Sequence, residues 1–304
     1  MKLSIIIISW NTADLLAQCL ASIYAHPPQE PFEVLVVDNA STDDSVAMVH
    51  RRFSQVQVLE NQENTGFARA NNQAIRRSRG EYLLLLNPDT NVAPNALQTL
   101  VEWLENHPQT GAVGPRTLNP DGTLQISAYP APTLMGELWR LLHLDQFHPY
   151  GVYAMDTWPL DAPRQVDALL GACLLLRRQV IEQIGLLDEA YFIYSEEIDL
   201  CYRLQTAGWQ LYWLPTATIV HYGGQSTQQV AAEMFLRLYQ GKLFFFRKHH
   251  GRWAGTVYKL VLMLITLLRL LLTPLAWFEP TARRREHLSL AANYRRLLLA
   301  LPGL

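Results

Sequence analysis

The chain has 304 residues, of which 49% are hydrophobic and 17% charged, with a formal net charge of -2. That length fits one large or two modest domains, and the near-neutral charge leaves no global basic field to attract nucleic acid. Three well-separated cysteines (Cys19, Cys173, Cys201) offer neither a disulfide framework nor metal-binding spacing, and read as buried thiols in a reducing compartment.

Met1-Lys2 and the apolar Leu3-Ser4-Ile5-Ile6-Ile7-Ile8 could be mistaken for a signal peptide. The stretch is short and β-branched and lacks a small-residue cleavage site, so it reads as a first buried strand ending at Ser9. A helix follows, with Leu15, Leu16, Cys19, Leu20 and Ile23 on one face. The second strand, 32–37, ends at Asp38-Asn39. Ser41 and Asp44 make a capping-box-like start for a helix carrying Val46, Val49 and Phe53. A short strand at 56–59 precedes the turn Asn64-Thr65-Gly66-Phe67, which opens a helix through Asn71 and Ile75. Leu83-Leu84-Leu85-Leu86 shows no period-two alternation, so both faces of this strand should be covered, as in the middle of a parallel sheet. Pro88 ends it. Asp89 therefore stands just past a central strand's carboxyl end, where open α/β sheets bind ligands. On its own Asp89 reads equally as a turn residue before a helix near Pro94 and as a ligand for a cation that holds a phosphate. Leu97, Leu100, Val101 and Leu104 line the next helix. Residues 111–115 read as a strand leaving the sheet, and Asn119-Pro120-Asp121-Gly122 as a turn. This beat predicts an α/β fold with a mostly parallel central sheet flanked by helices.

Residues 129–165 are rich in proline, aromatics and histidine without periodicity and read as a long binding loop or lid. A strand is expected at 166–176 and a short helix with Val180 and Ile184, stopped by Gly185. Tyr191 to Leu200 leads into a helix ended by Gly208, with Asp199 and Arg203 spaced for an i,i+4 pair. Two strands follow, 209–214 and 218–221. From about Thr227 the chain turns helical, and 255–278 is long and apolar enough to cross a bilayer. Yet Lys259, Thr266, Arg269 and Thr273 share an arc of roughly 80° on that helix. Basic clusters flank both ends (247–252 and 283–285), so a single span would put one on the wrong side. A helix lying in the interface, with Arg and Lys toward headgroups, meets fewer objections. A core or oligomer helix of a soluble protein is the remaining alternative.

The strand-end residues Ser9-Trp10-Asn11, Asp38-Asn39 and Asn87-Pro88-Asp89 should gather at one sheet edge. Ser9-Trp10-Asn11-Thr12-Ala13-Asp14 contains no glycine, which argues against a nicotinamide or flavin enzyme, and no P-loop occurs. Five segments stand in order: Ile7-Ile8-Ser9-Trp10-Asn11, Val36-Val37-Asp38-Asn39-Ala40-Ser41-Thr42-Asp43, Asn64-Thr65-Gly66-Phe67-Ala68-Arg69-Ala70-Asn71-Asn72, Leu86-Asn87-Pro88-Asp89 and Tyr194-Ser195-Glu196-Glu197-Ile198-Asp199-Leu200-Cys201. Together the sequence resembles the inverting family 2 glycosyltransferases of the GT-A fold, a Rossmann-like nucleotide-diphospho-sugar transferase fold, and most of all the bacterial rhamnosyltransferases of surface-polysaccharide synthesis.

The resemblance covers roughly residues 1–225. It implies a GT-A domain over 1–225, with a donor-nucleotide half (1–116) and an acceptor half (117–225), and a helical, membrane-associating C-terminal region over 226–304. It implies that Asp38 binds the nucleobase or ribose, that Ser9, Trp10 and Asn11 pack along the base, and that Asn64, Gly66 and Asn71 support the nucleotide. For Asn64 and Asn71, turn formation and helix capping are equal alternatives. Asn87 and Asp89 match the family's D-x-D, with an amide replacing the first carboxylate. Asp89 and His221 are the implied ligands of Mg²⁺ or Mn²⁺, and an imidazole would favour Mn²⁺. A packing role at a strand end is the other reading of His221. Glu196-Glu197 match an acidic pair that is usually Glu-Asp. Glu197 is the expected general base and Glu196 the alternative, and a helix N-terminus would favour the ionised form of both. The implied reaction moves a sugar, with inversion, from a nucleotide-diphosphate donor, dTDP-rhamnose first among them. The implied acceptor is a saccharide or lipid-linked saccharide at the cytoplasmic face of the bacterial inner membrane. Two rivals remain. A non-catalytic membrane-bound scaffold is kept open by the departures Asn87 and Glu197. A nucleotidyltransferase would need a basic, glycine-rich loop after strand one, which is missing.

Overall fold

A computed structural model describes residues 1–225, 227–278 and 280–304. In chain order the elements are β1 (Leu3–Ser9), α1 (Ala13–Ala25), β2 (Phe32–Asp38), α2 (Ser45–Arg52), β3 (Gln57–Glu60), α3 (Phe67–Arg77), β4 (Tyr82–Leu86), β5 (Thr90–Val92), α4 (Ala96–Asn106), β6 (Thr110–Leu118), β7 (Leu124–Gln125), β8 (Ala128–Tyr129), α5 (Leu134–Leu141), β9 (Arg164–Gln165), β10 (Ala168–Leu169), β11 (Cys173–Arg177), α6 (Arg178–Ile184), α7 (Glu196–Thr206), β12 (Gln210–His221), α8 (Ala231–Leu272, broken by the left-handed Gly251) and α9 (Thr281–Ala300).

The chain divides into two compact units. The first holds 1–131, 153–192 and 196–229. Its sheet runs β3-β2-β1-β4-β11-β6-β12-β5. The strands β3, β2, β1 and β4 are mutually parallel. The antiparallel β11 then enters between β4 and β6, so the sheet is mixed. The leucine strand is buried on both faces, because its side chains alternate between two cores. Leu84 and Leu86 pack with Leu16 and Leu20 of α1 and Leu97 and Leu100 of α4. Leu83 and Leu85 pack with Ala74 of α3, Val180 of α6 and Leu200 of α7. A run with no alternation is thus what a strand covered on both sides requires.

Several expectations are corrected. The strand read at 111–115 does not leave the sheet. It is the middle of β6, between β11 and β12. The stretch 166–176 is two pieces, β10 and β11, rather than one strand. Conversely the two strands expected over 209–214 and 218–221 are one, β12, whose register shifts between Leu214 and Thr218. The turn expected between Asp89 and the helix contains a short strand, β5, paired antiparallel with the end of β12.

The second unit holds 132–152, 193–195 and 230–304. Within it α5 occupies part of the stretch read as a loop. Glu137 of α5 is buried, with Lys242 Nζ at 2.7 Å and the Arg140 guanidinium also against it. The polar arc of α8 does not point outward. Thr266 is wholly buried, Arg269 donates to the Leu141 carbonyl, and its guanidinium stands 4.9 Å over the Tyr294 ring. Leu260, Leu264, Leu268, Leu271 and Leu275 are exposed instead. The expectation of Arg269 toward headgroups is therefore reversed: a half-buried cation has found a carbonyl and an aromatic face inside its own unit.

Candidate active site

Parallel strands deliver their carboxyl ends to one edge, and the loops there are tied to one another. Asn11 after β1 takes a left-handed φ of 51°. Its Oδ1 accepts from the Thr42 N–H at 2.7 Å, and its N–H donates to Ser41 Oγ at 2.9 Å. Ser9 Oγ lies 3.1 Å from Thr12 Oγ1, and Trp10 is half-buried beside it. Asp38 is 4% exposed at the end of β2. Its Oδ2 accepts from the Ser41 N–H at 2.9 Å, while its buried Oδ1 has no hydrogen-bond partner among the described residues. A buried carboxylate oxygen without a donor is costly unless a ligand supplies one.

The Asn64–Phe67 turn is held from two sides. Asn64 Oδ1 accepts from the Gly66 N–H at 3.0 Å, so its amide shapes the turn. Gly66 takes φ 81°, and a Cβ there would run into the carbonyl oxygen and ring of Phe192. Phe67 N–H donates to that same carbonyl at 2.6 Å. Asn71 Nδ2 donates back to Phe67 O at 2.9 Å, and its buried Oδ1 has no hydrogen-bond partner among the described residues. Asn39, which the motif reading passed over, is central here. Its Oδ1 accepts from Asn61 Nδ2 (2.9 Å) and Thr65 Oγ1 (3.2 Å), and its Nδ2 donates to Gly66 O (3.2 Å). The buried amide thus joins the loop after β2 to the turn before α3.

Asp89 and His221 meet because β5 pairs with β12, with Thr90 opposite His221. Asp89 Oδ1 lies 3.3 Å from His221 Nε2, and both side chains are buried. The Tyr222 N–H donates to Asp89 O at 2.9 Å. Asn87 presents its amide nitrogen, not its carbonyl, to His221 Nε2 at 3.3 Å. No group of three or more His, Cys, Asp or Glu side chains able to hold a metal occurs among the described residues. One carboxylate and one imidazole nitrogen fit a divalent cation whose remaining positions are filled by phosphate oxygens and water, and do not make an all-protein cage.

The acidic pair opens α7 on the same edge. Asn87 N–H donates to Ala172 O at 2.9 Å, and the adjacent Gly171 lies against the side chain of Glu197, within 3.4 Å of its Cβ for an added carbon. Glu196 is buried, and its Oε2 has no hydrogen-bond partner among the described residues. Burial, and then the charges of Glu197 and Asp199, hold its carboxyl well above the usual carboxylate range. The helix N-terminus expected to keep Glu196 ionised is outweighed by this desolvation. Glu197 is half-buried. Asp199 accepts from Arg203 Nε at 2.8 Å, as the i,i+4 spacing predicts, and Arg203 also binds the carbonyls of Ile184 and Leu186.

A sequence profile of the family Glycosyl transferase family 2 matches residues 4–185. An N-acetylglucosaminyl-diphospho-decaprenol L-rhamnosyltransferase of Mycobacterium tuberculosis is 28% identical over 270 residues, 83% of this chain and 86% of its own. The rhamnosyltransferase WbbL of Escherichia coli K12 is 24% identical over 246 residues, 76% and 87% of the two chains. Among solved structures, the mannosyltransferase PcManGT of Pyrobaculum calidifontis, in complex with GDP-Man and Mn²⁺, aligns with a TM-score of 0.59 at 19% identity, over 99% of this chain and 86% of its own. Identity that low speaks to the fold alone.

Proposed function

The chain belongs to glycosyl transferase family 2, and from that premise we propose that it transfers rhamnose, with inversion and with a divalent cation, from dTDP-rhamnose to a lipid-linked saccharide at the cytoplasmic face of the membrane. The observation that carries the reading is the meeting of Asp89 and His221 at the carboxyl end of the leucine strand, with Glu197 on the same edge. Two relatives named as rhamnosyltransferases support the sugar, and the decaprenol-linked acceptor in one of their names supports the lipid. The exposed leucines of α8 support a membrane surface over a water-facing one.

The division of labour follows from the side chains. Asp38 Oδ1 is a free acceptor for an N–H or O–H of the nucleoside. Asp89 and His221 would hold the cation, which when bound supplies charge stabilisation to the departing diphosphate. Inversion is a single displacement: the acceptor oxygen bonds to the anomeric carbon as the bond from that carbon to the diphosphate breaks. Glu197 takes the acceptor hydroxyl's proton. Glu196 is the more deeply buried of the two, and burial holds its carboxyl well above the usual carboxylate range, so the task falls to Glu197.

The test is turnover and donor binding with a panel of nucleotide sugars, with Mn²⁺ or Mg²⁺ present. dTDP-rhamnose should bind and release dTDP when a prenyl-diphosphate-linked saccharide is added. Glu197→Gln should abolish release while sparing donor affinity. Binding of no donor at all sinks the reading, and preference for another nucleotide sugar sinks the assignment of rhamnose.

A further inference from the structure

His221 is reached by a chain of hydrogen bonds with only one consistent direction, and it begins at a turn. Asp121 is a carboxylate and can only accept when ionised. Thr123 Oγ1 donates to Asp121 Oδ1 at 2.6 Å. The Thr123 hydroxyl oxygen is then the acceptor for Asn119 Nδ2, at 2.9 Å. That fixes the Asn119 amide with its Oδ1 toward Gln125, whose Nε2 donates to it at 2.9 Å. Gln125 Nε2 also lies 3.4 Å from the His221 carbonyl, a second acceptor on the same side. Gln125 Oε1 is left facing His221 Nδ1 at 2.7 Å, and an amide oxygen can only accept. The proton of a neutral imidazole must therefore sit on Nδ1. Nε2 carries the lone pair, and it faces Asp89 Oδ1 and the Asn87 amide nitrogen, both at 3.3 Å.

We infer that Gln125 is a positioning residue, which fixes His221 as its Nδ1–H tautomer and aims the bare Nε2 at Asp89. A metal-ligating histidine characteristically donates its other ring N–H to a partner that sets its tautomer and orientation. Here that partner is a neutral amide on the two-residue strand β7, locked from behind by the Asn119–Thr123 turn. The inference rests on the reading of Asp89 and His221 as a cation site, and the test separates the two.

Long-range proton–nitrogen correlation NMR on the metal-free full chain, at a pH where the ring is neutral, reads the tautomer directly. The wild type should show His221 protonated on Nδ1. Gln125→Met keeps the length of the side chain and removes the acceptor, and it should shift the ring toward a mixture of tautomers. Gln125→Glu restores an acceptor and should restore the Nδ1–H form. Mn²⁺ affinity in the presence of dTDP should fall about 10–100-fold in Gln125→Met and recover in Gln125→Glu. An Nε2–H ring in the wild type, or a tautomer and a Mn²⁺ affinity both indifferent to Gln125→Met, overturns the inference. Failure of the wild type to bind Mn²⁺ with dTDP, while the tautomer still follows Gln125, overturns the cation site and upholds Gln125 as the residue that orients His221.

Discussion

Two neighbouring glutamates on one helix turn differ in burial, Glu196 being buried and Glu197 half-buried. Glu196 is buried beside the charges of Glu197 and Asp199, and its carboxyl is held well above the usual range. The folded chain therefore keeps that proton at pH values where the unfolded chain has lost it. Where the folded state binds more protons, stability falls as pH rises. The fall should begin near the unfolded value of about 4.3 and continue through the folded one. Glu196→Gln cannot ionise, so its melting temperature should decline less steeply with rising pH, and donor-dependent turnover should persist. Turnover lost in Glu196→Gln but retained in Glu197→Gln would exchange the two roles. Asp89 and Asn87 contrast in the same way. Asp89→Ala removes the carboxylate of the proposed cation site and should lower kcat by about 10²-fold or more, the scale of losing a charge-stabilising contact in a transition state. Asn87→Ala, losing an amide that faces His221 with its nitrogen, should cost far less in a parallel kinetic comparison.

Short elements carry the site, and their length explains what the sequence did and did not disclose. The leucine strand, the parallel half of the sheet and the helices of the first half were legible, because each buries a face that leaves a period. Asp38, Asp89 and the acidic pair were legible as strand-end or helix-start carboxylates. By contrast β5 and β7 have three and two residues, too few to show a period, and their partners lie far along the chain. Without β5 the pairing of His221 with Asp89 left no local pattern and came only from the family resemblance, and without β7 Gln125 was invisible. The helix α5 was missed for a different reason. Its buried positions are Gly136, Glu137 and Leu141, with one apolar side chain among them, and Glu137 is satisfied by Lys242, 105 residues away. Removing one partner of such a buried pair leaves a charge uncompensated, which costs about 3–5 kcal/mol. Glu137→Leu should therefore lower stability to urea by that order, and Glu137→Leu combined with Lys242→Met should recover much of it. The turn before α3 makes a matching test in the other unit. Gly66→Ala must place a Cβ at φ 81° against Phe192. A left-handed non-glycine residue costs of order 1–3 kcal/mol before any clash, so a destabilised protein with weakened nucleotide binding is expected by thermal shift and calorimetry.

At the scale of the whole molecule, one unit holds the candidate site residues and the other presents an apolar surface that solvent alone would disfavour. The helix over 228–277 is long and apolar enough to cross a membrane, and only 22% of its most apolar window is buried within the protein. The sequence favoured an interfacial helix with its polar arc toward headgroups. The fold turns that arc inward, where Arg269 is satisfied by the Leu141 carbonyl and the Tyr294 ring. The outward stripe is then purely aliphatic along Leu260, Leu264, Leu268, Leu271 and Leu275. Burying one leucine is worth about 1.5–3 kcal/mol, so a few of them outweigh the attraction of scattered surface cations for anionic lipid, about 1 kcal/mol each and screened by salt. This ordering makes an unambiguous forecast for vesicles. Replacing Leu264, Leu268 and Leu271 together by aspartate should abolish co-sedimentation with phosphatidylglycerol vesicles while leaving dTDP-rhamnose binding intact. Wild-type protein should stay on those vesicles in molar salt. Release of the wild type by salt, or unimpaired sedimentation of the triple variant, would mean that charge and not the leucine stripe holds the protein to the membrane. Arg269→Leu makes the stripe no smaller and removes an internal contact, so it should lower thermal stability without weakening vesicle binding, the reverse of what a headgroup-facing arginine would do.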